Sequence, residues 1–203
     1  MTDVHEHWET IWRDRAVDEV SWFQRSADRS LRLVSQVVEG GAARVVDVGG
    51  GASPLAGQLA TAGHDVTVLD VSEAALDVAR DRLGEVADRI RWVVGDVRTH
   101  RFDQTVDVWH DRAVLHFLID PADAAQYVER LHEALRPGGH AIIAPFGPGG
   151  PPRCSGLEVR RYGREDLLDL LGDRFEPVAF EVEQHTTPAG APQEFLYGVV
   201  RRS

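Results

Sequence analysis

The residues whose types and spacing could do chemistry sit where apolar runs stop. Val45-Val46-Asp47-Val48 meets Gly49-Gly50-Gly51, Val66-Thr67-Val68-Leu69 stops at Asp70, and Ile90-Arg91-Trp92-Val93-Val94-Gly95 stops at Asp96. Glycines at the end of a β-branched run permit positive φ and let backbone approach a bound molecule closely. An acid about 20 residues past such a turn is placed to accept hydrogen bonds from ribose hydroxyls at the carboxyl edge of a sheet. Asp47, Gly49, Gly50, Gly51, Asp70 and its neighbour Val71 therefore read as a seat for a nucleoside-containing cofactor. A second cluster, His110-Asp111-Arg112 with His116, closes a fourth apolar run and offers one cation and three proton carriers.

Two common cofactor classes fit poorly. A dinucleotide turn wants a third glycine, and Pro54 stands in its place. A phosphate-cradling P-loop needs a lysine after the turn, and all 22 basic residues of this chain are arginine.

The elements that must position these groups alternate. Ser53 and Pro54 supply an N-cap and a first helical residue, so a helix over Leu55–Ala62 follows the glycine turn. Further helices are expected over Ser72–Leu83, Ala122–Leu135 and Glu165–Leu171, each but the last leading into an apolar strand. A β-α alternation of this kind requires a parallel sheet. Two closing strands, from Phe175 and from Glu194, are joined by a turn and not by a helix, so the sheet ends antiparallel. The fold expected is α/β, a Rossmann-like doubly wound seven-stranded sheet, mostly parallel, with a C-terminal antiparallel hairpin and an N-terminal helical, aromatic arm.

That arm, within residues 1–30, carries Trp8, Trp12, Trp22 and Phe23. Trp8 and Trp12 are four apart and share a helical face. Such a stripe is most often core, but Asp14, Arg15, Asp18 and Glu19 interrupt it, and a hinged arm suits a lid. A helix over Ser30–Val38 follows, ended by Gly40-Gly41. The Pro/Gly-rich loop from Phe146 to Gly156 lies at the same sheet edge as the glycine turn, where substrate sites form; its Cys154 reads as a passive small residue.

Length and composition bound the rest. A chain of 203 residues, 43% hydrophobic, fits one domain over 1–203, with the arm at 1–30 and the core at 40–203. A net charge of −11 with no concentrated arginine run argues against nucleic acid. One cysteine forbids an intrachain disulfide, no leader pattern opens the chain, and no uncharged run is long enough to span a bilayer. A cytoplasmic protein without a membrane partner, monomeric or weakly dimeric, is expected. His5-x-His7 is too sparse to imply a metal.

From Asp47 to Arg201 the chain resembles the class I S-adenosylmethionine (SAM) methyltransferases: Asp47-x-Gly49-x-Gly51, Asp70, Asp96-Val97 and Leu135-Arg136-Pro137-Gly138-Gly139 carry the resemblance. It implies SAM as cofactor, with Asp96 facing the adenine amino group and Val97 packing on the ring. Trp8-x-x-x-Trp12, Val20-Ser21-Trp22-Phe23-Gln24 and Asp111-Arg112-Ala113-Val114-Leu115 resemble the thiopurine S-methyltransferase-like branch, which implicates Trp8, Trp12 and Phe23 in closing over SAM and Arg112 beside cofactor and substrate. Trp22-Phe23 stands where that branch has Phe-His. A small-molecule acceptor, a thiol or other soft nucleophile, is implied; the alternatives are a protein amine and binding of SAM without catalysis. A thiolate would be favoured by Arg112, whereas an amine or hydroxyl would call on His116, His110 or Asp111 as base.

Overall fold

In the computed structural model, residues 4–38 and 40–203 are described. Residues 1–3 of the expected arm lie outside them. The arm begins with α1 (Val4–Asp14) and a single turn of 3-10 helix at Val17–Glu19 before α2 (Asp28–Val37). The charged residues after Trp12 end α1, and the chain then runs through Val20–Gln24 without helix.

The alternation follows: β1 (Arg44–Val48), α3 (Leu55–Thr61), β2 (Asp65–Asp70), α4 (Glu73–Leu83), β3 (Ile90–Val94), β4 (Val106–Arg112), α5 (Pro121–Ala134) and β5 (Leu135–Ala144). Next come a short hairpin, β6 (Arg153–Cys154) with β7 (Leu157–Glu158), then α6 (Arg164–Leu171), β8 (Phe175–Thr186) and β9 (Pro192–Arg202). Seven strands form one sheet in the order β3-β2-β1-β4-β5-β9-β8. The first five are parallel; β9 inserts antiparallel between β5 and β8. The expected α/β sheet with its closing antiparallel hairpin is thus the observed one.

Apolar residues on both sheet faces explain why the strands read as continuous hydrophobic runs. One face packs Leu33 of α2, Leu59 of α3 and Leu76 of α4 against Val45, Val66 and Val108. The other packs Leu131 of α5 and Leu167 of α6 against Val46, Trp109 and Ile143. Strand order reverses between β1 and β4, which opens a crevice at their carboxyl ends where ligands of such sheets sit.

Local differences from the sequence expectation have simple causes. The Arg136–Gly139 run does not precede β5 as a turn but lies inside it, where Gly138 has φ +74° and the pairing with β4 shifts register. Arg112 and His116, four apart, would share a face only in a helix; instead Ala113 takes φ +77° and breaks the chain direction, and only Leu115–Phe117 form a 3-10 turn. Strand β6 lies within the stretch Phe146–Gly156 read as loop and pairs with β7 just beyond it. Among the described residues no helix is long and apolar enough to cross a membrane.

Candidate active site

The glycine turn after β1 is shaped by what crowds it. A Cβ on Gly50 would meet Asp47 Oδ2 at 2.7 Å and Val68 at 2.9 Å, one on Gly51 would meet the Trp12 ring at 2.9 Å, and one on Gly49 would overlap Val114. Gly49 and Gly51 have φ of +61° and +45°, so both reasons for glycine apply. Ser53 Oγ accepts the Leu55 N–H at 3.2 Å and starts α3, as its type suggests.

Two carboxylates stand along the same edge. Asp70, at the end of β2, accepts the Gly51 N–H with Oδ2 at 3.0 Å and the Ser72 N–H with Oδ1 at 2.9 Å. Burial pushes its pKa up to about 6 against those hydrogen bonds, with help from the nearby Asp47 charge. Asp96, beyond β3, is gripped by the Arg98 guanidinium, whose Nη1 reaches on to Asp123 of α5 at 2.8 Å. Burial would raise Asp96, but the Arg98 hydrogen bonds and charge outweigh it and hold the carboxyl below its ordinary value.

These groups border a cleft of about 170 Å³. Its edge beside β2 and β3 is formed by Gly49, Asp70, Val71, Asp96, Val97 and Arg98. The edge beyond β4 is mostly apolar, with Trp8, Trp22, Phe117, Leu118 and Leu157. Trp8 meets Trp22 and Phe117 edge to face, with ring centroids 5.6 and 5.0 Å away. A smaller cavity of about 50 Å³ continues beneath Trp12 and Trp22, where Phe23, Asp47 and Gly50 line it. Asp47 is buried, its Oδ1 lies 2.7 Å from His110 Nδ1, and its Oδ2 has no protein partner.

Arg112 borders both cavities, with its side chain only 8% exposed. Its Nε donates to the Tyr197 hydroxyl at 3.0 Å, Nη1 to the Trp22 carbonyl at 3.2 Å and Nη2 to Glu183 at 3.3 Å, and the guanidinium lies 4.1 Å from the Phe195 ring centroid. Strand β4 supplies Arg112, β8 Glu183 and β9 Tyr197, so the closing hairpin braces the cation.

The structure brings together most of the residues expected from sequence. Trp8, Trp12, Gly49, Asp70, Val71, Asp96, Val97 and Arg112 border the main cleft; Phe23, Asp47 and Gly50 border the smaller cavity, and Gly51 lies under Trp12. Asp111 and His116 are placed differently: neither lines the cleft or the smaller cavity. Asp111 is fully buried, accepts the N–H groups of Val114 and Leu115 and the Tyr127 hydroxyl, and is pushed by burial up to about 6. His116 accepts the Phe146 N–H at 3.1 Å, stacks on the Phe146 ring, and is driven down to about 3 by burial and the Arg112 charge. Asp111 ties the loop after β4 to α5, and His116 ties it to Phe146 beyond β5. Cys154 borders the cleft as a buried thiol raised by burial, in keeping with a passive role.

Sequence reasoning missed five participants. Glu9 of α1 accepts the Ser72 hydroxyl at 3.1 Å and the Ala74 N–H at 3.2 Å, which docks the arm on the start of α4. Ser30, Tyr197 and Glu183 reach the site from α2 and the closing hairpin, and their sequence positions carry no local signal. Arg98 does have one, an arginine two residues past Asp96.

Comparison with known proteins places this geometry. Residues 45–139 match the family described as methyltransferase domain. Nodulation protein S of Rhizobium tropici is 30% identical over 157 residues, 74% of this chain and 63% of that protein. A ubiquinone biosynthesis O-methyltransferase of Alkalilimnicola ehrlichii is 37% identical over 134 residues, 63% of this chain and 50% of that one. The chain thus spans less than two thirds of the length of these curated relatives. Among solved structures, the Burkholderia thailandensis 1,6-didemethyltoxoflavin-N1-methyltransferase, with bound 1,6-didemethyltoxoflavin and S-adenosylhomocysteine, superposes with a TM-score of 0.70 at 25% identity, covering 98% of this chain and 84% of that one.

Proposed function

Because residues 45–139 match a methyltransferase domain, we propose that this chain transfers the methyl group of SAM to a small-molecule acceptor, a thiol or other soft nucleophile. The observation that carries the proposal is the alignment along one sheet edge of the positive-φ glycine turn, Asp70 after β2 and Asp96-Val97 after β3. The small molecule held by the B. thailandensis enzyme supports the acceptor's size class. The thiopurine S-methyltransferase-like branch is supported by the Trp8-x-x-x-Trp12 arm and the Asp111–Leu115 run.

The residues present fit the cofactor. Asp47 Oδ2 is a buried acceptor without a partner, suited to the ammonium of the methionine part, and the glycine turn brings backbone to the cleft where a Cβ would collide with Val114, Asp47 or Trp12. Asp70 keeps lone pairs for ribose hydroxyls beyond the two N–H groups it accepts, Asp96 would take the adenine amino group, and Val97 would pack on the ring. When bound, SAM supplies a methyl group already activated by its sulfonium.

The chain's own work is to align the acceptor and exclude water. Trp8, Trp12 and Phe23 form the lid, residues 1–30 of a single domain whose core is 40–203. Arg112 ties the lid to the sheet through the Trp22 carbonyl and keeps Trp22 against the acceptor side. With Asp111 and His116 behind the cleft wall, the acceptor is a nucleophile that brings its own lone pair. The test is transfer of labelled methyl from SAM to a panel of small thiols, amines and basic peptides. Labelled small thiols are expected; label in peptides alone, or SAM binding with no labelled product, would overturn the proposal.

A further inference from the structure

Parallel register sets Asp47 of β1 directly beside His110 of β4. The imidazole is almost fully buried and touches a polar partner on each side: Asp47 Oδ1 lies 2.7 Å from Nδ1 and Ser30 Oγ lies 2.9 Å from Nε2. An ionised carboxylate can only accept, so Nδ1 donates to it; in the neutral imidazole Nε2 then accepts from the Ser30 hydroxyl. Ser30 itself is 1% exposed, held on α2 against the sheet. The result is an Asp-His-Ser chain in which the carboxylate oxygen left over is Asp47 Oδ2, buried beside Gly50 in a residue that lines the cavity under the glycine turn.

A buried carboxylate oxygen without a donor is costly, and such a group is retained where something else supplies the donor. Arg112, the cation that borders the same cavity, spends its nitrogens on Tyr197, Trp22 and Glu183. We propose that His110, braced by Ser30, is a positioning residue that holds Asp47 so that Oδ2 faces the ammonium of the bound cofactor. This rests on the SAM reading above. By fixing Oδ1, the imidazole fixes the carboxylate plane and therefore the direction of Oδ2.

Two isosteres separate this role from plain packing. The amide nitrogen of an asparagine falls where His110 Nδ1 lies and can still donate to Asp47; that of a glutamine falls near Nε2 and serves only the Ser30 side. The two probes are S-adenosylhomocysteine and 5′-methylthioadenosine, which lacks the amino-acid tail and its ammonium. In calorimetric titrations, His110→Gln is expected to weaken S-adenosylhomocysteine about tenfold, in line with loss of an oriented hydrogen bond to a charged group. His110→Asn should stay within about threefold of the wild type, and neither variant should alter methylthioadenosine binding. Equal weakening of both ligands, no weakening of either, or an asparagine as poor as glutamine would overturn the assignment. Should His110→Gln fail to fold, Ser30→Ala carries the same expectation: weaker S-adenosylhomocysteine with unchanged methylthioadenosine, and a uniform effect contradicts it. A wild-type protein that binds neither ligand would overturn the cofactor reading itself, a result distinct from variants that fail to discriminate.

Discussion

Glu9 accepts a hydrogen bond from the Ser72 hydroxyl at 3.1 Å across 63 residues of sequence, and this contact docks the aromatic arm on the start of α4. The same carboxylate accepts the Ala74 N–H and pairs with Arg13 at 3.0 Å. An anion at a helix N-terminus that also satisfies free N–H groups is stabilising there. Burial opposes its charge, yet the hydrogen bonds from Ala74 and Ser72 prevail and hold the carboxyl below its ordinary value. Trp12, one helical turn on, is thereby pressed against Gly51.

Glu9→Ala should free the arm at a cost of about 1–3 kcal/mol. Trypsin cleavage after Arg13 and Arg15 should quicken while the core stays folded, and Glu9→Gln should fall between. A cleavage rate equal to that of the wild type would mean that the aromatic contacts alone hold the arm.

Asp70 sets a pH dependence for cofactor binding. In the proposed seat ribose hydroxyls would donate to the ionised carboxylate, so binding would favour the charged form, and affinity should fall as pH drops through about 6. Asp70→Asn should bind S-adenosylhomocysteine more weakly at pH 8 and lose the dependence. An unchanged pH profile in that variant would remove Asp70 from the ribose site.

His116 should make folding sensitive to acid. Its folded value of about 3 lies below the ordinary 6.5, so between these values the unfolded chain binds more protons. Stability from this group is complete above pH 6.5 and is lost as pH falls toward 3, with a slope of up to about 1.4 kcal/mol per pH unit. His116→Asn, which keeps an acceptor for the Phe146 N–H, should flatten the fall of denaturation midpoint between pH 6.5 and 5. It should also retain methyl transfer, whereas abolished turnover in a folded variant would restore His116 as a base.

Arg112 holds three partners with a planar fork, which a lysine cannot copy. Arg112→Ala and Arg112→Lys should both destabilise, the alanine by about 1–3 kcal/mol, because Tyr197, the Trp22 carbonyl and Glu183 lose their shared donor while Glu183 keeps Arg29 and Tyr197. Turnover should fall in both. Full rescue by lysine, measured by denaturant midpoint and rate, would mean that charge alone matters.

The parts legible in sequence were those written locally. The turn at Gly49–Gly51, the acids closing β2 and β3, and the hairpin in place of a last helix each show within a few residues, because glycine conformation and strand termination are local matters. The bracing of the site was not legible. Ser30 of α2 meets His110 of β4, and Glu183 of β8 meets Arg112 of β4, only because the fold brings together elements far apart in sequence. That Arg112 and His116, four apart, share no helical face turns on one backbone angle, at Ala113, whose positive φ its residue type does not announce.

The central claim is that the edge formed by Gly49, Asp70 and Asp96 seats SAM. Calorimetric titration of the purified protein with S-adenosylhomocysteine, with reduced nicotinamide nucleotide in parallel, tests it most directly. Saturable binding of S-adenosylhomocysteine alone, weakened in Asp70→Ala, is the predicted result. Binding of the nicotinamide nucleotide instead, or of neither, would contradict the account.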